Sequence, residues 1–116
     1  MRLSLVVLLA LISSAAHSAS PKCDGPGNYA ASMVFVLLKN AGIADNSQID
    51  FTKTKVVLIA SEKIGEDLYR QVHHVTYTKH SGETIDAIAV NDASHSECSE
   101  SGVEVYLVGA HFSSGP

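Results

Sequence analysis

The sequence predicts an α+β fold: one N-terminal helix packed on a four-stranded antiparallel sheet, held by one disulfide. Three observations predict it. A helical segment at 29–41 contains no Gly or Pro and closes on Gly42. Four β-rich runs joined by short turns follow it. Cys23 stands ahead of the helix and Cys98 between the last two runs. A helix followed by strands with short connections is the order of a meander with a helix laid across it.

The first segment stands apart from that domain. Residues 1–18 carry one positive residue, Arg2, then the apolar run Leu5 to Ile12, then small residues. That is the layout of a secretory signal, and the run is too short to span about 30 Å of hydrocarbon. Ala16 and Ser18 suit the −3 and −1 positions of a cut after Ser18, with Ala16 and Ala19 as alternatives. Residues 19–116 then form one small domain. A domain of this size buries only about 65% of its unfolded surface, so a staple matters. Export favours a disulfide, and Cys23–Cys98 is the one intramolecular pairing two cysteines allow. It closes a loop of about 76 residues, for which chain entropy gives roughly 4.5 kcal/mol as an upper figure.

The Pro/Gly-rich stretch 20–28, "SPKCDGPGN", reads as an extended lead-in. Asn28 is the expected N-cap, its side-chain oxygen accepting a first-turn N–H. Tyr29, Met33, Val36, Leu37 and Asn40 share one face by helical spacing, and Val34, Phe35 and Leu38 widen it. Gly42 fits the left-handed position that ends a helix. Residues 43–54 read as a polar, turn-forming connection anchored by Ile43, Ile49 and Phe51. Strands are expected at 55–64, 68–80, 84–92 and 103–112, on their β-branched and aromatic content. "GED" and "SGE" supply turns, with Gly82 free to take positive φ. Val72 and Val75 fall on opposite faces of a regular second strand, so either both faces are partly covered or a bulge lies near His73–His74. The tail "SSGP" reads as frayed.

Charge narrows the function classes. The chain carries 8 Lys/Arg against 12 Asp/Glu, a net charge of −4, which becomes −5 without Arg2. It has no basic cluster, and nucleic-acid affinity rests on neutralising phosphates with Lys and Arg. Nucleic acid and, after signal removal, an anionic membrane surface are therefore not the expected partners.

Catalytic constellations are sparse. His73, His74, His80, His95 and His111 lie beyond the signal. Adjacent His73 and His74 point to opposite faces of a strand and cannot share an ion. No H-E-x-x-H or C-x-x-C spacing exists, so no metal site and no cofactor is expected. Glu97 and Glu100 flank Cys98 and would raise a thiol pKa, against a nucleophilic reading. The pairs Glu97/Glu100 and Glu83/Asp86 read as solvated acids, and no hydrolase or nucleotide motif is present. No catalytic residue is therefore assigned. The competing enzyme reading is a small hydrolase using His73 or His74 with His95 as acid and base.

Tyrosines suggest a contact surface. Tyr69 and Tyr77 share strand parity with His73, and Tyr106 opposes Val105 and Leu107. An open face bearing Tyr69, His73, Tyr77 and Tyr106 would suit protein contact, because Tyr is enriched at interfaces. Core tyrosines are the competing interpretation.

Two resemblances accompany this reading. The stretch "SEKIGEDLYRQVHHVTY" is similar to the strand–turn–strand that follows the helix of cystatin-like proteins. The cystatin Q-x-V-x-G signature is absent, the second hairpin lacks Pro–Trp and the chain has no Trp. Inhibitory residues therefore do not carry over. "PKC" before a helix, with a late cysteine, resembles the colicin M immunity protein group and its exported relatives. Both resemblances imply a non-catalytic module that binds another protein. The signal segment makes it a secreted or periplasmic one, and since an exposed edge strand can pair two copies, a monomer or weak dimer is expected.

Overall fold

The computed structural model describes residues 19–109 and Ser114. The expected secretory signal at 1–18, the end of the expected fourth strand, His111 and most of the "SSGP" tail lie outside the described residues. Helix α1 spans Tyr29–Asn40. Strands β1 (Ile49–Gly65), β2 (Leu68–Lys79), β3 (Thr84–Ala93) and β4 (Glu104–Leu107) form one antiparallel sheet in the order β1-β2-β3-β4. The α+β architecture with one helix on an open four-stranded sheet is as the sequence predicts. Cys23 and Cys98 are disulfide-bonded.

Helix α1 begins at Asn28, whose backbone is extended but whose side chain makes no capping bond. The Asn28 N–H instead donates to Gly25 O at 2.9 Å, closing the Pro/Gly turn ahead of the helix. The other end follows expectation. Gly42 has φ +73°. Ile43 N–H donates to Leu38 O and Gly42 N–H to Lys39 O. Those paired bonds are a Schellman motif, which needs the left-handed residue that glycine supplies without strain.

The buried helix face differs from the predicted one. Ala30, Ala31, Val34 and Leu38 are buried, whereas Val36 and Leu37 are exposed. Apolar residues surround this helix, so spacing alone does not select a face. Packing selects the small side chains: Ala30 and Ala31 join Ala87 and Ala89 of β3 in one core cluster with Val34, Leu38, Val75 and Tyr77. Alanines on both surfaces let helix and sheet approach closely, and interiors reward dense packing.

Strand lengths also differ at both sheet edges. β1 starts at Ile49, so residues 49–54 belong to the strand rather than a polar connection. Between the Asp50–Thr78 and Lys55–Thr76 pairs, four residues, 51–54, stand against Tyr77 alone, an enlarged bulge. Thr52 donates both its N–H and its hydroxyl to the Asp50 carboxylate there, which holds the bulge locally. Turn-forming residues therefore build a bulge inside a strand. Among the described residues β4 runs only from Glu104 to Leu107, inside the predicted 103–112, and the Val108 N–H beyond it donates to Asp86 O. β2 and β3 pair without a break from Tyr69–Ala93 to Thr78–Thr84, but β1 carries an extra residue, Ile59, between its Leu58–His73 and Ala60–Val72 pairs, so a bulge does lie beside His73, on the neighbouring strand. Val75 is buried beneath the helix, whereas Val72 points to the opposite face and is half-buried by its neighbours within the sheet.

Candidate functional site

Strand alternation assigns two faces to the sheet. On β2 and β3 the odd-numbered residues 69–77 and 87–93 are buried beneath the helix and the lead-in. Even-numbered residues point the other way, where no element of the described chain packs. The register aligns them in cross-strand rows. Val57 pairs with His74, His74 with Ile88 and Ile88 with Tyr106. Beside that row run Ala60, Val72, Val90 and Glu104. The result is an apolar band two rows wide. Val57 and Tyr106 are each 56% exposed, and Val72, Ile88 and Val90 are half-buried by their neighbours alone.

Polar groups frame the band. Arg70 Nε donates to Asp92 Oδ1 at 3.1 Å at one end, and Asp92 pushes the guanidinium pKa up. At the other, Asp86 Oδ1 accepts the Thr76 hydroxyl at 2.7 Å and lies 2.9 Å from His74 Nε2. Thr76 foremost, with help from His74, holds the Asp86 carboxyl below its ordinary value against the effect of burial. Tyr106 donates to Glu104 Oε2 at 3.1 Å, and that carboxylate raises the phenol pKa. Such a surface has the make-up of a contact patch: an apolar centre, an exposed tyrosine and a charged rim.

The structure distributes the expected contact residues unevenly. Tyr106 lies on the open face. Tyr69, His73 and Tyr77 share parity as expected, but their face is the covered one, and all three are buried. The expectation of a single open face bearing all four residues is therefore corrected. The helix and the lead-in claim the odd-numbered side because its small Ala87 and Ala89 admit the helix. Tyr77 works there as a core residue, donating to Ala31 O at 2.6 Å, and burial raises its pKa to about 12.

His73 is 0% exposed, and neither ring nitrogen has a hydrogen-bond partner among the described residues. Burial lowers its pKa against the pull of the Asp24 charge. Its neighbour Gln71 is equally buried and donates to Pro21 O at 2.9 Å, tying the lead-in to β2. Sequence reading missed Gln71, and it missed Val57, Val72, His74, Ile88 and Val90 as a face. One signal could have found them: alanines at 87, 89 and 93 mark the side of β3 on which another element packs closely.

The histidines do not assemble into one site among the described residues. His95 stacks edge-on against Tyr69 at 5.3 Å between centroids. Tyr69 and His73 are four residues apart on β2, a rise of about 13 Å. His74 faces the opposite side, and the His80 N–H donates to Gln48 O at 2.8 Å beyond the end of β2. His95 has another task. Its Nδ1 meets the Asp67 carboxylate, and its Nε2 lies 2.5 Å from Ala19 O. Both partners are acceptors, so the imidazolium satisfies both. The Ala19 carbonyl first, then Asp67, accordingly raises the His95 pKa.

The loop 94–103 is a hydrogen-bonded structure rather than a reactive one. Ser94 Oγ donates to Glu100 Oε1 at 2.8 Å, and Asn91 Nδ2 donates to Cys98 O at 2.8 Å. No group of three metal-ligating side chains forms among the described residues. No described helix is long and apolar enough to cross a membrane, and the disulfide is compatible with an oxidising compartment. Compared with known protein families, with curated proteins and with solved structures, the chain matches none.

Proposed function

We propose that this chain is an exported, non-catalytic binding module, secreted or periplasmic, that contacts another protein through the open face of its sheet. The observation that carries this reading is the uncovered row Val57–His74–Ile88–Tyr106, with Val72 and Val90 beside it. A sheet face that meets only water is ordinarily polar along its strands. Here its centre is apolar and its charges sit at the ends, which favours a protein surface over bulk solvent. The net charge of −4 and the absence of a basic cluster direct the reading away from nucleic acid. The disulfide and the signal-like segment 1–18 support export.

The test compares two forms of the oxidised protein as bait in extracts of its own compartment. One is wild type and the other carries Val57→Asp and Tyr106→Asp. Both altered side chains are more than half exposed, so the two baits should unfold at the same denaturant concentration. A protein retained by wild type and lost by the double variant supports the reading. Identical retention by both baits, or no retained protein, contradicts it.

A further inference from the structure

The outer edge of β1 is open. Among the described residues β1 ends the sheet and pairs on one side alone, with β2, while the helix packs over β2 and β3. Val57 and Ile59 are each 56% exposed, and Lys55, Ala60 and Glu62 are exposed too. Residues 56–61, "VVLIAS", carry no charge, Pro or Gly. An edge of that composition is a template for another strand, and native sheets guard such edges with charges, Pro or a bulge.

The guard here is the extra residue Ile59, and it is selective. Pairing with β2 fixes the side on which its neighbours point. Lys55, Val57, Ala60 and Glu62 stand opposite Thr76, His74, Val72 and Arg70, on the open side. Val56, Leu58 and Ser61 stand opposite Val75, His73 and Gln71, on the covered side. A regular strand laid along this edge keeps step as far as Leu58. From Ala60 onward its side chains fall on the wrong side. A second copy of β1 carries the same extra residue in the same place. Laid antiparallel about a two-fold axis between Leu58 and Ile59, it sets Val57 against Ala60, Val56 against Ser61 and Lys55 against Glu62. Each of those pairs joins residues of one side. The same register sets a cation opposite an anion at both ends of the contact, which stabilises cross-strand pairing. A shift of one residue in either direction sets open-side residues against covered-side ones. Parallel pairing in register sets Lys55 on Lys55 and Glu62 on Glu62.

We propose that β1 pairs antiparallel with β1 of a second copy of this chain through residues 55–62, joining two four-stranded sheets into one across a two-fold axis. The contact is self-complementary, as a two-fold interface must be. It also brings the two open faces side by side, because Val57 and Ala60 begin the two apolar rows of each copy.

The experiment measures the mass of the oxidised full chain by sedimentation equilibrium from about 0.02 to about 1 mM, because a contact of this size lies at the weak end of interfaces, under about 1,200 Å² in all. Wild type should pass from monomer to dimer across that range, with isotope-filtered NOEs between Val57 of one copy and Ala60 of the other. Lys55→Glu and Glu62→Lys each set like charges opposite one another at both ends, and should weaken self-association about tenfold. Both altered side chains are exposed, and unchanged amide spectra of β2 and β3 check that each variant keeps its fold. Mixed one to one, the two variants restore both attractions, and the mixture should associate as wild type does. A mixture as weak as either variant alone overturns the proposal. So does wild type that stays monomeric at about 1 mM, or that dimerises without the Val57–Ala60 contact. These measurements contain no other protein, so this proposal and the open-face reading fail separately.

Discussion

The two sides of β2 place adjacent histidines in opposite circumstances. His73 is buried on the helix side with neither ring nitrogen partnered among the described residues, and burial lowers its pKa. One residue on, His74 sits on the open side beside Asp86, among groups that water can reach. The same contrast runs across the whole sheet. The covered side is made of small and aromatic residues locked around Ala87 and Ala89. The open side is an apolar band within a charged rim. Residue type alone does not separate core from contact surface here; which side the helix takes does.

The largest expected effect comes from freeing the lead-in that helps to cover the odd-numbered side. Replacing Cys23 and Cys98 together by Ser should cost about 2–5 kcal/mol of stability, read by denaturant unfolding. A loss well below that would mean that Gln71 and the helix hold the lead-in without the staple.

Next in size is a direct comparison of the faces. Leu38→Ala removes a side chain buried in the core cluster and should cost about 2–5 kcal/mol. Val57→Thr on the open row should change stability by no more than about 0.5 kcal/mol. Equal costs for the two variants would erase the distinction between the faces.

His73→Leu tests whether the buried imidazole is a burden on the covered side. It removes an unsatisfied buried group, so stability should hold or rise by about 1–2 kcal/mol at neutral pH. The sign against pH follows from its lowered pKa. Neutral His73 contributes fully above the ordinary value of 6.5, and that contribution is lost as the pH falls through the lower folded value. The variant should therefore lose less stability on acidification than wild type, read by unfolding at about pH 5 and pH 7.5.

The smallest effect belongs to the exposed clasp of His95. Its raised pKa means a contribution present below 6.5 and lost as the pH rises through the folded value. Asp67 is lowered by its bonds from His95, so its share is present above 3.8 and lost as the pH falls through its folded value. The clasp is therefore fully made between these two ordinary values. His95→Gln should destabilise slightly at about pH 5.5 and match wild type once the pH exceeds the raised histidine value. Amide exchange at Ser20 would report the same loosening locally.

Much of this architecture was legible in the sequence, and the gaps have physical causes. The Schellman end at Gly42, the turn at Gly82, the four strands and the disulfide follow from local chemistry or from there being two cysteines. The helix face did not, because apolar residues surround that helix and only packing against Ala87 and Ala89 distinguishes Val34 from Val36. The start of β1 was hidden because Asp50, Thr52 and their neighbours form a bulge from the residues that elsewhere make turns. The contact residues were half legible. Parity grouped Tyr69, His73 and Tyr77 correctly, but their side of the sheet depended on the helix face. The row containing Tyr106 was recoverable only through cross-strand register.

The central claim is that the open row, not the covered one, meets another protein. A photo-crosslinking residue placed at Tyr106, with a control at exposed Glu66 in the β1–β2 turn, tests it in the native compartment. A discrete crosslinked species from position 106, absent from position 66 and lost when Val57→Asp is added, is the predicted result. Crosslinks that are the same from both positions, or that survive Val57→Asp unchanged, would contradict it.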